Sequence, residues 1–349
     1  MTIAATATAL PAHYYSQDEL LLALKREWGD RLPNVALLER LHRRLRVDGR
    51  HLALPIERYG ELRTWGQAND AWIGAATDLG ERAIRTALER ANVARSDVGT
   101  LVFTSVTGVA SPSIDARLIN RLGLPPTVRR LPLFGLGCVG GAAAVARAAD
   151  VVQAYPDEAA VVVAVELCSL TWQRDDLSVA NLISAGLFGD GAAAVVVTGR
   201  RRGGEGPEIR ATRSIFYPGT EHVMGWRISE RGLRVVLSPD VPAVVRAHLG
   251  EDVDRFLAEH ALRRADVHTW ILHPGGPKVL LAAAEALGLP AGRLAPSWAC
   301  LRRVGNLSSA SVLMVLETIT REARPPAGSW SVLAAMGPGF CAELLLLRW

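Results

Sequence analysis

Three side chains in this sequence have types and settings that could do chemistry together. Cys138 lies in LPLFGLGCVGGAAAVARAAD (131–150), where an apolar run gives way to an alanine-rich helical stretch. A thiol at a helix mouth sits at the positive end of the dipole, beside unpaired N–H groups, and both effects favour the nucleophilic thiolate. Gly135, Gly137, Gly140 and Gly141 crowd it and would let a substrate carbonyl approach backbone donors. A lone cysteine more often acts as a small hydrophobe, so the thiol does not define a site by itself. His273, in TWILHPGGPK, closes a buried strand just before a Pro-Gly-Gly turn, the place where α/β folds set functional groups. Asn306, in VGNLSSAS, opens a second small-residue helix, where an ordinary N-cap is the plainer role.

A thiolate, an imidazole and a carboxamide without an acidic third member suit acyl transfer followed by carbon–carbon bond formation. Cys and His accept an acyl group as a thioester. A neutral His and an Asn amide then hold the thioester oxygen of a malonyl unit while carbon dioxide leaves and enolate charge develops. A dry apolar site protects that carbanion from water.

The elements that must position these groups come in two series. Helical periodicity marks 17–28, 37–47 and 76–93 in an N-terminal region that reads as helical. Buried strands are expected at 98–106, 158–169 and 191–199, then at 268–273, 330–337 and 341–349, with helices at 277–289 and 304–323. Cys138 and Asn306 each precede a small-residue helix and then two strands, which predicts a duplication. Between its paired strands the first series carries about twenty extra residues, 168–187, the length of a lid or pocket wall.

Composition fits an α/β chain. The 349 residues are 49% hydrophobic, with 32 glycines and a net charge of +4. No block of like charge supports nucleic-acid binding. The N-terminus lacks a signal-peptide pattern, and no apolar run is long enough for a membrane span, so a soluble cytoplasmic protein is expected. The four cysteines (Cys138, Cys168, Cys300, Cys341) form no CxxC pair, which argues against a metal site or a disulfide framework.

GCVGG at Cys138, LFGDGAAA at 187–194, LHPGG at His273, VGNLSSAS at Asn306 and GPG at 337–339 occur in order. With them the chain resembles the type III polyketide synthases, the chalcone synthase-like family with a thiolase-type fold. The resemblance implies two duplicated βαβαβαββ halves in a layered αβαβα core, divided as 1–215 and 216–349. It implies a Cys138–His273–Asn306 triad and an acyl-gating Phe188. Val235 falls where plant members carry a second gating phenylalanine, and Gly337 and Pro338 belong to the glycine-rich loop. Val106 stands where plant enzymes have Thr and some naphthol-forming bacterial members have Cys, which argues against a naphthol product. Thr107, Ser111 and Cys168 are implied beside a tunnel for fatty acyl groups. Arg40 and Arg44, with Arg50 as a further candidate, are implied to meet coenzyme A phosphates, and Ser308 the pantetheine end.

The expected activity is therefore an acyltransferase working as a homodimer on acyl-CoA and malonyl-CoA, with no cofactor and no metal. A medium or long aliphatic starter and an alkylpyrone product follow from the likeness to bacterial alkylpyrone and alkylresorcinol synthases. The alternatives are a phenolic product of the same chemistry, an initiating ketoacyl synthase, and a catalytically silent acyl-CoA-binding subunit. Asp190 in FGDG is read as a structural turn residue, and Trp172 and Trp226 as candidate pocket walls beside ordinary core packing.

Overall fold

The computed structural model describes residues 1–32, 34–290 and 292–349. β6 (Ala159–Leu167) and β7 (Asp190–Thr198) are buried at every position. Successive strand side chains point to opposite faces. Here Val162, Ala164, Val195 and Val197 pack inward, while Val161, Val163, Ala194 and Val196 pack outward. Helices cover both faces, so these runs need no polar alternation.

Among the described residues, nine strands form one sheet in the order β11-β12-β13-β8-β1-β7-β6-β4-β5. The first half supplies β1 (Thr2–Ala9), β4 (Val98–Ser105), β5 (Arg129–Phe134), β6 and β7; the second supplies β8 (Glu208–Phe216), β11 (Val267–Leu272), β12 (Trp330–Gly337) and β13 (Cys341–Arg348). Outward from the β1–β8 seam, one side reads β1-β7-β6-β4 and the other β8-β13-β12-β11. Pairing directions match: β4 with β6 and β11 with β12 are parallel, while β6 with β7 and β12 with β13 are antiparallel. The duplication is thus visible as a pseudo-twofold repeat.

Two expectations need correction. The 215/216 division falls inside β8, which pairs with β13 along its length and belongs to the second half. The second half also has no described counterpart of β5, so the full βαβαβαββ order holds only for the first.

Helices complete the layers. α3 (Trp65–Ala91) and α4 (Ile114–Leu122) cover the outer face of the first half. α7 (Val241–Ala258) and α8 (Pro277–Leu287) cover that of the second. α5 (Gly140–Ala154) and α10 (Ser309–Glu322) lie side by side at the centre. α3 begins earlier than the periodicity suggested because Thr64 and Gln67 form a capping box before Trp65.

The N-terminal region is not wholly helical. The Thr- and Ala-rich stretch TIAATATA hides β1, whose place between β7 and β8 is a tertiary outcome. Smaller elements flank the core: β2 (His13–Ser16) pairs with β3 (Gly49–Leu52), and β9 (Met224–Ser229) with β10 (Gly232–Leu237). α1 (Gln17–Trp28), α2 (Val35–Arg44), α6 (Val179–Leu187) and α9 (Ala295–Val304) surround the candidate site. No helix among the described residues is long and apolar enough to cross a membrane.

Candidate active site

The glycines around Cys138 bring two helix mouths together. Cys138 is the middle residue of a single helical turn, Gly137–Val139, that leads into α5 without a side-chain cap. A Cβ on Gly141 would come within 2.1 Å of the Ser309 carbonyl oxygen, so only glycine lets α5 meet α10 there. Gly137, at φ 52°, makes room for Pro338, whose Cδ would stand 2.8 Å from an added Cβ. Gly337 and Pro338 thus buttress the cysteine turn, and neither lines a cavity with it.

Asn306 is locked from several sides. Its Nδ2 donates to the Gly275 carbonyl at 3.2 Å and reaches within 4.0 Å of Cys138 Sγ. Its Oδ1 accepts from Ser308 N at 2.7 Å and from Ser311 Oγ at 3.3 Å. Its backbone pairs with the turn before β7: Asn306 N donates to the Leu187 carbonyl, and Gly189 N donates to the Asn306 carbonyl. The amide therefore does more than begin a helix: one face meets the sulfur and the other holds the α10 mouth.

His273 follows β11, with its backbone N donating to the Ala334 carbonyl at 3.0 Å. Both ring nitrogens are buried without a partner, an unusual state for polar groups unless a ligand completes them. Cys138, His273 and Asn306 line one cavity of about 510 Å³.

Burial outweighs the helix-mouth effect on the thiol. It pushes Cys138 up to about 11, although hydrogen bonds from Ser308 and Asn306 pull the other way. Burial likewise pushes His273 down to about 3. Burial thus favours a thiol and a neutral imidazole in the resting pair, against the helix-mouth effect that favours the thiolate. The alkylation rate of Cys138 by iodoacetamide should therefore rise about tenfold per pH unit from 7 to 10. A rate already at plateau at pH 7 would mean an imidazolium–thiolate pair instead.

Behind the thiol stands a residue that the sequence reading missed. Glu166 is fully buried and accepts from Ser105 Oγ, Val106 N, Thr107 Oγ1 and Ser309 Oγ. Burial pushes its carboxyl up to about 7. One acid in the otherwise apolar run AAVVVAVEL was the available signal.

A second cavity of about 150 Å³ lies beyond Phe188, the one residue that lines both chambers among the described residues. Cys168, Val235, Trp172 and Trp226 line this inner chamber, together with Arg50, Tyr59, Ser169 and Thr171. The extra segment 168–187 forms much of its wall through α6, as a pocket wall of that length should.

Other expected lining residues are elsewhere. Val106 is buried and lines neither chamber, and Ser111 is exposed. Thr107 turns to Glu166 and accepts from Leu167 N and Trp72 Nε1, so its hydroxyl is committed to the core; it borders only a separate outer cleft. The chain beyond β4 no longer alternates as a strand, so side-chain direction there could not be read by counting.

For the nucleotide end, Arg44 lines the outer cavity, as does Lys278, a cation on α8 that the sequence reading did not single out. Arg40 is exposed on α2 outside the cavity lining. Ser308 is buried and within hydrogen-bonding reach of the Cys138 sulfur, where the thioester end of a pantetheine arm must also come. Arg50 is also buried, on the inner chamber. Asp190 is structural as expected: its carboxylate accepts from Ala53 N, Ser169 N and Ser169 Oγ.

Comparison with known proteins agrees with this architecture. The family models for chalcone and stilbene synthases match over residues 1–200 (N-terminal domain) and 208–349 (C-terminal domain). The chain is 54% identical to a 1,3,6,8-tetrahydroxynaphthalene synthase of Streptomyces peucetius subsp. caesius, covering 100% of this chain and 93% of that protein. It is 32% identical to the phloroglucinol synthase of Pseudomonas fluorescens, covering 97% and 96%. The crystal structure of 1,3,6,8-tetrahydroxynaphthalene synthase from Streptomyces coelicolor A3(2), a bacterial type III polyketide synthase, superposes with a TM-score of 0.95 at 34% identity, over 100% of this chain and 99% of that one. The chain belongs to the chalcone and stilbene synthase family and is a type III polyketide synthase, an acyltransferase of the condensing kind.

Proposed function

We propose that this synthase builds a short poly-β-ketone from malonyl-CoA and closes it through a carbon–carbon bond to a small polyhydroxylated aromatic. Cys138 attacks the acyl-CoA carbonyl, His273 takes the thiol proton and returns it to the departing CoA sulfur, and a thioester remains. Malonyl-CoA then sits with its thioester oxygen toward His273 and Asn306. Loss of carbon dioxide leaves an enolate, which those two donors stabilise and which attacks the Cys138 thioester. The electron pair comes from the broken C–C bond, so the reaction calls for no redox cofactor and no metal. Arg44 and Lys278, at the outer cavity, are positioned to meet CoA phosphates.

The size of the inner chamber carries the product reading. At about 150 Å³ it is less than a third of the 510 Å³ cavity at the thiol, a fit for a short chain. Its walls are mostly apolar, Leu20, Leu24, Leu52, Ile56 and Trp226 among them, with Tyr59, Ser169 and Thr171 as the polar groups. The names of related enzymes point the same way: tetrahydroxynaphthalene and 3,5-dihydroxyphenylacetyl products carry hydroxyls on alternate ring carbons and no long alkyl arm. The valine at 106, taken from sequence to weigh against a naphthol product, lines neither chamber and so does not bear on the choice.

A fatty acyl starter and an alkylpyrone remain the second reading, favoured by Cys168 and Val235 on the inner wall and Ile183, Leu187, Val245 and Leu249 on the outer one. Purified enzyme given malonyl-CoA alone should release an aromatic polyol identifiable by mass. Turnover only when a long-chain acyl-CoA is added would decide for the alkylpyrone. A homodimer is part of the proposal, supported by exposed Phe134 at the end of edge strand β5. Sizing of the same sample should give twice 37.5 kDa.

A further inference from the structure

The inner chamber contains a charge that the chemistry at Cys138 does not use. Arg50, on β3, is 3% exposed and lines that chamber. Its stem is threaded past Gly305, where an added Cβ would stand 3.0 Å from Arg50 Cδ and 2.5 Å from the Leu187 carbonyl oxygen. Nη1 donates to the Phe188 carbonyl at 2.7 Å. Nε is buried and has no hydrogen-bond partner.

The nearby acids are occupied. Asp190 spends its oxygens on Ala53 and Ser169. Glu27, the acid on the chamber wall, pairs with Arg174 at 2.8 Å. A guanidinium removed from water with no carboxylate bonded to it, and only the charge of Asp190 nearby, is costly, and the cost falls when a further anion arrives. Its planar fork fits a carboxylate with two parallel hydrogen bonds, and few polar groups other than a ligand's are left to fill that role here.

We propose that Arg50 receives a carboxylate at the far end of the acyl chain carried by Cys138. The enzyme thereby selects starters that are half-thioesters of dicarboxylic acids, malonyl-CoA among them. The proposal rests on the inner chamber being where the chain is held, as argued above. Arg50 acts as a specificity-determining residue, and its bond to Phe188 places it at the gate between the chambers.

Glutaryl-CoA and valeryl-CoA have equal chain length and differ in the terminal carboxylate. With malonyl-CoA as extender, the wild-type kcat/KM ratio of glutaryl over valeryl starter should be on the order of tenfold or more, as for a hydrogen bond to a charged group. Arg50→Met should bring that ratio to one or below, whatever it does to the absolute rate through Phe188. A residue that merely propped the gate would slow both starters alike and leave the ratio standing. Should Arg50→Met prove insoluble, Arg50→Lys serves: it keeps charge without the fork, and the ratio should fall severalfold yet stay above one. A wild-type ratio at or below one overturns the proposal, as does a ratio that either variant leaves intact. The identity of the product from malonyl-CoA alone tests the reading of the previous section separately. An aromatic polyol without glutaryl preference sinks only this inference, and an alkylpyrone with the preference retained sinks only that reading.

Discussion

Cys138→Ala is expected to abolish polyketide formation, by on the order of 10⁴-fold or more, because removing a nucleophile leaves only binding and oxyanion stabilisation. Decarboxylation of malonyl-CoA should continue. Its donors hang on other elements: His273 follows β11, and Asn306 is fixed by Ser308, Ser311, Gly275 and the Phe188 turn, none of which needs the sulfur. Carbon dioxide release and intact-protein mass read the two functions apart. The variant should evolve carbon dioxide and never carry an acyl group. Polyketide made by this variant would mean that another group holds the chain, and the assignment of Cys138 would fail.

Gly141→Ala should be among the most destabilising single-methyl changes in the protein, at about 3 kcal/mol or more. The new Cβ would overlap the Ser309 carbonyl oxygen at 2.1 Å and press on Leu313. Backbone cannot move aside as a flexible side chain would, so α5 and α10 must separate. Since Cys138 and Asn306 sit at the mouths of those helices, the 4.0 Å approach between them widens at the same time. Urea denaturation should show the lowered midpoint, and product formation should fall further than the unfolded fraction explains. An unchanged midpoint would mean that the helices do not meet at this glycine.

Cys138, His273 and Asn306 were legible because each ends or begins an apolar run beside small residues, and such local punctuation is written in the sequence. The repeat was legible for the same reason, since two helix mouths each lead into paired buried strands. Arg50 was not. LHRRLRVDGRHL offers several arginines, and only the gap left by Gly305 and Gly189, distant in sequence, tells which one is buried. Thr107 shows the opposite failure, because its position was found while its direction was set by Glu166, a partner 59 residues away that no local pattern names. β1 escaped notice because its four alanines dilute the strand preference of threonine and isoleucine, and its neighbours β7 and β8 arrive from far along the chain. The pull of burial on the thiol was not legible, because a helix-end argument contains no measure of burial.

The backbone of Phe188 is tethered at both ends. Its N–H donates to Ser184, its carbonyl accepts from Arg50, and it bridges to Asn306. The ring can thus swing only about its own side-chain bonds, a picosecond-to-nanosecond event when space permits, whereas a moving lid takes microseconds or longer. A turn of this ring, with no lid movement, would be enough to join the two chambers. Intermediates would then be sorted by how well they fit behind a ring whose backbone is bonded on three sides.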